Sequence, residues 1–196
     1  MNTKNQIRLS SQLLFAELGY EGTSLTKIAE QVGIKKASIY SHYENKEAIF
    51  LDVIKNISES YVADIRKSFS NKEGENVEQQ MKQAFFNYIE SWSNEEDVIN
   101  KIYNRLIQFP PVELKEKIRE FIEESERLVD DIVISVIVKG QKEGIILPDM
   151  EASKIAYTFF SLIVGIISES SYKQIPDNMV QATFSWEIFW RGIRNT

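Results

Sequence analysis

Cysteine is absent from the 196 residues, and histidine occurs only once, at His42. The lack of thiols excludes disulfides, thiolate zinc sites and cysteine nucleophiles. One histidine leaves no second one to assist a serine or to complete an H-E-x-x-H pair, and the sequence has no glycine-rich phosphate loop. We therefore expect neither an enzyme nor a bound metal or cofactor.

Long apolar runs are also missing. The longest apolar-rich stretch, AYTFFSLIVGII at 156–167, is shorter than the roughly 20 residues that cross a bilayer. The start, MNTKNQIRLSSQLLF, interleaves polar and apolar residues, unlike a secretory signal. We expect a soluble, cytoplasmic protein without a membrane partner.

Charge is unevenly distributed along the chain. The net charge is −6, yet residues 1–55 carry seven Lys/Arg and six Asp/Glu, which gives +1 and leaves −7 for residues 56–196. The N-terminal quarter is therefore the better candidate for binding a polyanion.

Only four prolines and eight glycines occur, mostly between long segments of helical period, and no run alternates strictly. This pattern predicts an all-α protein. Helices are expected at about 3–18, 25–32, 36–42, 45–69, 77–92, 93–109, 112–142, 150–172 and 178–194. Helix 45–69 would be about 37 Å long, enough to connect two domains.

The two short predicted helices fit a helix-turn-helix joined at Gly33, with apolar anchors that include Ile28, Ala29 and Ile39. The second helix would expose cations, hydroxyls and planar donors suited to phosphates and base edges. The predicted DNA-binding residues are Thr23, Ser24, Thr26, Lys35, Lys36, Ala37, Ser38, Tyr40, His42 and Lys46.

Each of these residues also has a structural interpretation. Lys35 and Lys36 could form a solvated helix start, and Tyr40 or Tyr43 could belong to the core. A single histidine such as His42 is commonly a plain surface or core residue. Their occurrence in one contiguous segment favours the DNA-binding interpretation.

The two last predicted helices carry apolar residues around most of their circumference, so they need cover on more than one side. A two-fold homodimer would supply it, and the alternative is the centre of a monomeric bundle. The predicted dimer-interface residues are Leu162, Ile163, Ile166, Ile167, Phe184, Ile188 and Phe189.

The run TSLTKIAEQVGIKKASIYSHYENKEAIF, with LLFAELGYEGTSL before it, resembles the N-terminal DNA-binding domain of the tetracycline-repressor (TetR) family. The resemblance covers about residues 7–55. It rests on Gly19-Tyr20, Thr23-Ser24, Ile28-Ala29, Gly33-Ile34, Ser38-Ile39-Tyr40, His42-Tyr43 and Lys46-Glu47.

The resemblance implies that Thr23, Ser24 and Thr26 bind phosphates and that Lys46 clamps the backbone. The residues implied to face the major groove or its edges are Lys36, Ala37, Ser38, Tyr40 and His42. The resemblance also implies an N-terminal three-helix domain at 1–48 and a larger helical effector-binding and dimerisation domain at 49–196. Helix 45–69 would connect the two.

An aromatic pocket in the C-terminal domain is expected to bind a small hydrophobic or amphipathic effector, although most of its residues could be ordinary core. The predicted lining is Tyr61, Phe85, Tyr88, Trp92, Tyr103, Ile107, Phe121, Ser125, Tyr157 and Phe160. The sequence thus predicts a homodimeric repressor that leaves a palindromic operator when effector binds. The alternative is a helical ligand-binding or partner-binding module without DNA binding.

Overall fold

The computed structural model describes residues 2–70, 75–94, 97–173 and 178–195, and it leaves out the side chains of 107–108, 170–173 and 178. Within these ranges the fold is all-α, as predicted, and an isolated bridge between Ile146 and Arg194 is the only strand-like pairing. The helices are α1 (Thr3–Gly22), α2 (Leu25–Val32), α3 (Lys36–Ile39), α4 (Lys46–Ser68), α5 (Val77–Trp92), α6 (Val98–Gln108), α7 (Lys115–Lys142), α8 (Ala152–Lys173) and α9 (Asn178–Ile193), with a 3₁₀ turn at Val112–Leu114.

The chain forms two compact units. The first comprises Met1–Tyr61 and Glu95–Ser125, and the second comprises Val62–Asn94 and Glu126–Thr196. The functional division predicted at residue 48 does not coincide with this packing boundary. The reason is that Ile102, Leu106 and Ile118, from α6 and α7, share one buried core with the N-terminal helices.

Helix α1 continues four residues beyond its predicted end, with a kink at Gly19. Gly19 has φ 72° and ψ 178°, a conformation that favours glycine. Arg105 of α6 lies against this kink, and its guanidinium donates hydrogen bonds to the carbonyl oxygens of Ala16 and Glu17, both at 2.9 Å. The kink is thus tied to a helix that begins far along the chain.

Buried aromatic and aliphatic side chains hold the N-terminal helices on α4. Phe15 and Phe50 meet edge to face at 4.8 Å, and Tyr20 contacts Phe50 at the same centroid distance. Ile28 of α2 and Ile39 of α3 are fully buried in this core. The short helices are therefore fixed by packing, because helices of this length are marginal in isolation.

The second unit has an aromatic core built from α5, α8 and α9. The ring centroid of Phe85 lies 5.6 Å from those of both Phe159 and Trp186, and the ring centroid of Phe159 lies 5.8 Å from that of Phe189.

One window within the described ranges, Ala152–Glu169 of α8, is long and apolar enough to cross a membrane, with a mean hydropathy of 1.3. Core helices of soluble proteins also meet these two conditions.

Candidate nucleic-acid interface

The helix-turn-helix forms because Gly33 closes α2 in the left-handed conformation, at φ 77° and ψ 31°. After it, the amide of Ile34 donates to the carbonyl oxygen of Ala29 at 3.0 Å, a pattern that terminates helices. Ser24 begins α2, and its hydroxyl oxygen accepts a hydrogen bond from the Lys27 amide at 3.2 Å. Local sequence thus sets both ends of α2.

The segment 35–42, which we call the reading segment, turns its polar side chains to solvent. Tyr40 is 55% exposed, whereas Ile39 is fully buried and anchors the segment. The exposed members are Lys35, Lys36, Ala37, Ser38, Tyr40, Ser41 and His42. The arrangement presents cations, hydroxyls and an imidazole together on one short stretch of chain.

The helix in the reading segment is shorter than predicted. It spans Lys36–Ile39 instead of 36–42, and residues 40–42 form a turn. The amides of His42 and Tyr43 both donate to the carbonyl oxygen of Ile39, at 2.8 and 3.0 Å, which tightens the end of the helix. The apolar periodicity of the sequence does not indicate that the helix ends at Ile39 and continues as a turn.

Thr23 does not fit its predicted role as a phosphate ligand. Its side chain is 1% exposed, and its hydroxyl lies 2.8 Å from the carbonyl oxygen of Gly19 and 3.2 Å from that of Leu14. The hydroxyl therefore secures the turn between α1 and α2. Ser24 and Thr26 remain exposed at the start of α2.

Lys46 is half-buried and has partners inside the protein. Its ammonium group donates to the carbonyl oxygen of Tyr20 at 2.7 Å and lies 3.9 Å from the centroid of the Tyr20 ring. The ammonium group has three donors, so contact with a phosphate is still chemically possible. Asn45 caps α4, because its side-chain oxygen accepts a hydrogen bond from the Ala48 amide at 2.8 Å.

Tyr43, left open by the sequence, belongs to the core. Its side chain is buried, and its hydroxyl donates to the carboxylate of Asp52 at 2.6 Å. Burial raises the pKa of the Tyr43 hydroxyl and the hydrogen bond to Asp52 raises it further, whereas the charge of Arg8 lowers it. The bond joins the residue directly after the reading segment to the second turn of α4.

The predicted effector-lining residues do not share one environment. Phe85 is fully buried in the aromatic core and Tyr157 is 75% exposed, so neither fits the lining of an interior cavity. Ser125 is buried, and its hydroxyl donates to the carbonyl oxygen of Ile122. Tyr61, Tyr103 and Phe121 in the first unit, and Tyr88, Trp92 and Phe160 in the second, are half-buried. The side chain of Ile107 lies outside the described residues.

One small cleft lies within the first unit. Its volume is about 50 Å³ and none of its lining was predicted. The lining residues are Phe15, Gly19, Tyr20, Phe50, Ile102, Arg105, Leu106, Phe109 and Pro111.

Among the residues that the structure describes, no group of three or more metal-ligating side chains could hold an ion.

The predicted dimer interface divides into core and surface. Ile163, Ile166 and Phe189 are buried inside the protomer, which corrects their assignment. Phe184 and Ile188 are 62% and 58% exposed, and Leu162 and Ile167 are half-buried. Four further exposed apolar side chains of these helices lie outside the predicted interface: Tyr157, Val164, Met179 and Val180.

Residues 13–53 match the model of the family described as bacterial regulatory proteins, tetR family. The biofilm operon icaADBC HTH-type negative transcriptional regulator IcaR of Staphylococcus epidermidis is 47% identical over 53 residues. Those residues are 27% of this chain and 29% of that relative, so the match spans less than a third of the relative's length.

Solved structures extend the likeness to the fold of the whole chain. A protein described as a TetR-family transcriptional regulator from Mesorhizobium loti is 19% identical, with a TM-score of 0.80 over 98% of this chain and 96% of that one. FadR from Bacillus subtilis in complex with stearoyl-CoA is 20% identical, with a TM-score of 0.71 over 96% of this chain and 98% of that one. Residues 13–53 are thus similar to the tetR family of bacterial regulatory proteins, and the chain has the helical fold of solved proteins described as TetR-family regulators.

Proposed function

We propose that this protein is a DNA-binding transcriptional repressor whose reading segment enters the major groove of an operator. The observation that carries the proposal is the exposure of Lys36, Ser38, Tyr40 and His42 together above the buried anchor Ile39. Arginine, lysine, hydroxyl and imidazole groups bind phosphates and base edges, and backbone contacts fix the register of a reading helix. The negative regulator IcaR, similar over this region, supports repression.

In the proposed complex, Ser24 and Thr26 contact phosphates at the start of α2, while Lys35, Lys36, Ala37, Ser38, Tyr40 and His42 face the groove. Lys46 adds a phosphate contact through its remaining donors. Thr23 contributes through its buried hydroxyl, which holds α2 against α1. The methyl group of Ala37 is suited to contact with a thymine methyl.

A two-fold homodimer is the proposed active form, and a palindromic operator is its proposed target. The exposed apolar side chains of Phe184 and Ile188 support an interface formed by α8 and α9. Two copies would then place two reading segments on half-sites in successive major grooves.

A small hydrophobic or amphipathic effector is proposed to release the repressor from DNA. FadR, whose fold is similar, is described with stearoyl-CoA, which is amphipathic. Three residues separate the reading segment from the start of α4, which continues to Ser68, so a tilt of α4 would move the reading segment. Allosteric coupling of about 1–3 kcal/mol weakens binding roughly 5 to 150-fold. We propose no enzymatic activity and no cofactor, and a cytoplasmic location.

Fluorescence anisotropy on DNA from upstream of the protein's own coding sequence tests the proposal across a salt series. If Lys36 of each subunit neutralises one phosphate, Lys36→Ala should flatten the log-log salt dependence by about 1.8 units. Lys82→Ala, an exposed lysine of α5, is the matched control and should leave the slope unchanged. A wild-type protein that binds no duplex at low salt would instead favour a helical ligand-binding or partner-binding module.

The effector is tested in the same assay, with stearoyl-CoA as the first probe and then with compounds that raise the melting temperature. A ligand that stabilises the fold should weaken binding to the duplex within the range given above. Operator affinity that is indifferent to every stabilising ligand would exclude the release mechanism while leaving DNA binding intact.

A further inference from the structure

Two cations lie near the start of α1, outside the helix-turn-helix. Lys4 and Arg8 are one helical turn apart, so their side chains share a face of α1. The ammonium group of Lys4 lies 5.2 Å from the centroid of the Tyr43 ring, and the charge of Arg8 acts on the Tyr43 hydroxyl. Both cations therefore lie beside the residue that directly follows His42 of the reading segment.

The Tyr43 ring attracts the Lys4 ammonium group, but two other features of this placement are electrostatically unfavourable in the free protein. Cations near a helix N-terminus oppose the helix dipole, and like charges at this spacing repel each other. The first turn of α1 contains no acidic residue that would compensate. Neither Lys4 nor Arg8 forms an ion pair with any residue that the structure describes.

Arg8 also has an unsatisfied donor. Its Nε atom is buried and has no hydrogen-bond partner among the described residues. The carboxylate of Asp52 accepts the hydrogen bond of Tyr43 and forms no ion pair with Lys4 or Arg8. In a protein of net charge −6, two cations without an anionic partner beside the reading segment call for an external anion.

We infer that Lys4 and Arg8 form a second contact to the DNA backbone, binding phosphates that flank the bases read by 35–42. A guanidinium group matches the geometry of a phosphate, and an ammonium group binds phosphate as a point charge. The inference rests on the proposed DNA binding and extends it, because α1 then enlarges the operator footprint beyond the helix-turn-helix.

The test is the salt dependence of binding to the upstream duplex. Lys4→Gln should flatten the log-log slope by about 1.8 units, and the double variant Lys4→Gln/Arg8→Gln by about 3.6, since each contact in each of two subunits contributes about 0.9. Lys82→Gln serves as the control and should not change the slope. A merely structural role for these residues would alter affinity at every salt concentration without flattening the slope.

Ethylation interference locates the phosphates. Ethylation at flanking positions should weaken binding of the wild-type protein and leave the double variant unaffected. If Arg8→Gln fails to fold, as judged by its thermal melting curve, Lys4→Gln decides alone, because Lys4 is exposed.

The outcomes separate the two proposals. Wild-type binding with an unchanged slope in Lys4→Gln overturns this inference and leaves the repressor proposal standing. Absence of wild-type binding to any duplex at low salt overturns both.

Discussion

Arg105 Nε donates a hydrogen bond to the backbone carbonyl oxygen of Ala16, 89 residues earlier in the chain, at 2.9 Å. A second bond from the same guanidinium reaches the carbonyl oxygen of Glu17. These carbonyls lie just before the kink at Gly19, where an α-helix leaves acceptors unpaired and carries partial negative charge. Arg105 thus caps the first part of α1 from α6.

Replacing Arg105 with methionine keeps an unbranched apolar stem and removes both bonds. Because hydrogen bonds from charged donors are strong but this guanidinium is partly solvated, we expect a loss of about 1–2 kcal/mol in the free energy of unfolding. Urea denaturation measures this loss in the free energy of unfolding. Arg119→Met, which removes only exposed ion pairs of α7, is the control. Equal stabilities for the two variants would contradict the capping role.

Removing the hydroxyl of Tyr43 should affect stability, whereas removing the hydroxyl of Tyr40 should affect DNA binding. Tyr43→Phe removes the donor to half-buried Asp52 and should lower the free energy of unfolding by about 1–2 kcal/mol. Tyr40→Phe should leave stability unchanged, because Tyr40 is exposed, and should weaken operator binding. Urea denaturation measures the stability of both variants, and fluorescence anisotropy measures their operator binding. A Tyr40→Phe variant that is destabilised would place this hydroxyl in the fold, not at the DNA.

Gly140 of α7 is required by close packing in the second unit. A Cβ atom there would lie 2.8 Å from Cδ1 of Ile146 and 2.9 Å from Cγ1 of Val77. Gly140→Ala should therefore cost about 1–3 kcal/mol of stability despite the better helix propensity of alanine. Ser135→Ala, at an exposed position of the same helix, should cost nothing measurable. A stabilised Gly140→Ala protein would show that Ile146 and Val77 move aside at little cost.

A charge on the exposed face of α9 should separate the proposed dimer. Ile188→Asp would bury a carboxylate in an apolar interface, which is strongly unfavourable. Sedimentation velocity should show a monomer, and operator affinity should fall because one reading segment alone makes half the contacts. Val112→Asp, an exposed apolar residue of the first unit, is the control. A dimeric Ile188→Asp protein would exclude this face as the interface.

Much of the helical framework was predictable because it depends on local signals. Helix α2 spans Leu25–Val32, which are the predicted bounds, and α4 spans Lys46–Ser68 against a predicted 45–69. A four-residue apolar period and a good N-cap determine such elements.

What the sequence did not indicate depends on tertiary contacts, some of them between residues far apart in the chain. The hydroxyl of Thr23 is buried by turn geometry, Lys46 bonds to Tyr20, and Arg105 reaches α1. Apolar residues all round α8 and α9 were correctly recognised, but which of them face the protomer's own core depends on packing. Ile163 and Phe189 proved to be core for that reason.

The central claim is that the reading segment recognises a particular DNA sequence. The most direct measurement compares wild-type affinity for the upstream duplex with affinity for a shuffled duplex of equal length and composition at one physiological salt concentration. We expect a preference of about 10³-fold or more for the upstream duplex, as for specific DNA-binding proteins generally. Equal affinity for the two duplexes would contradict the account.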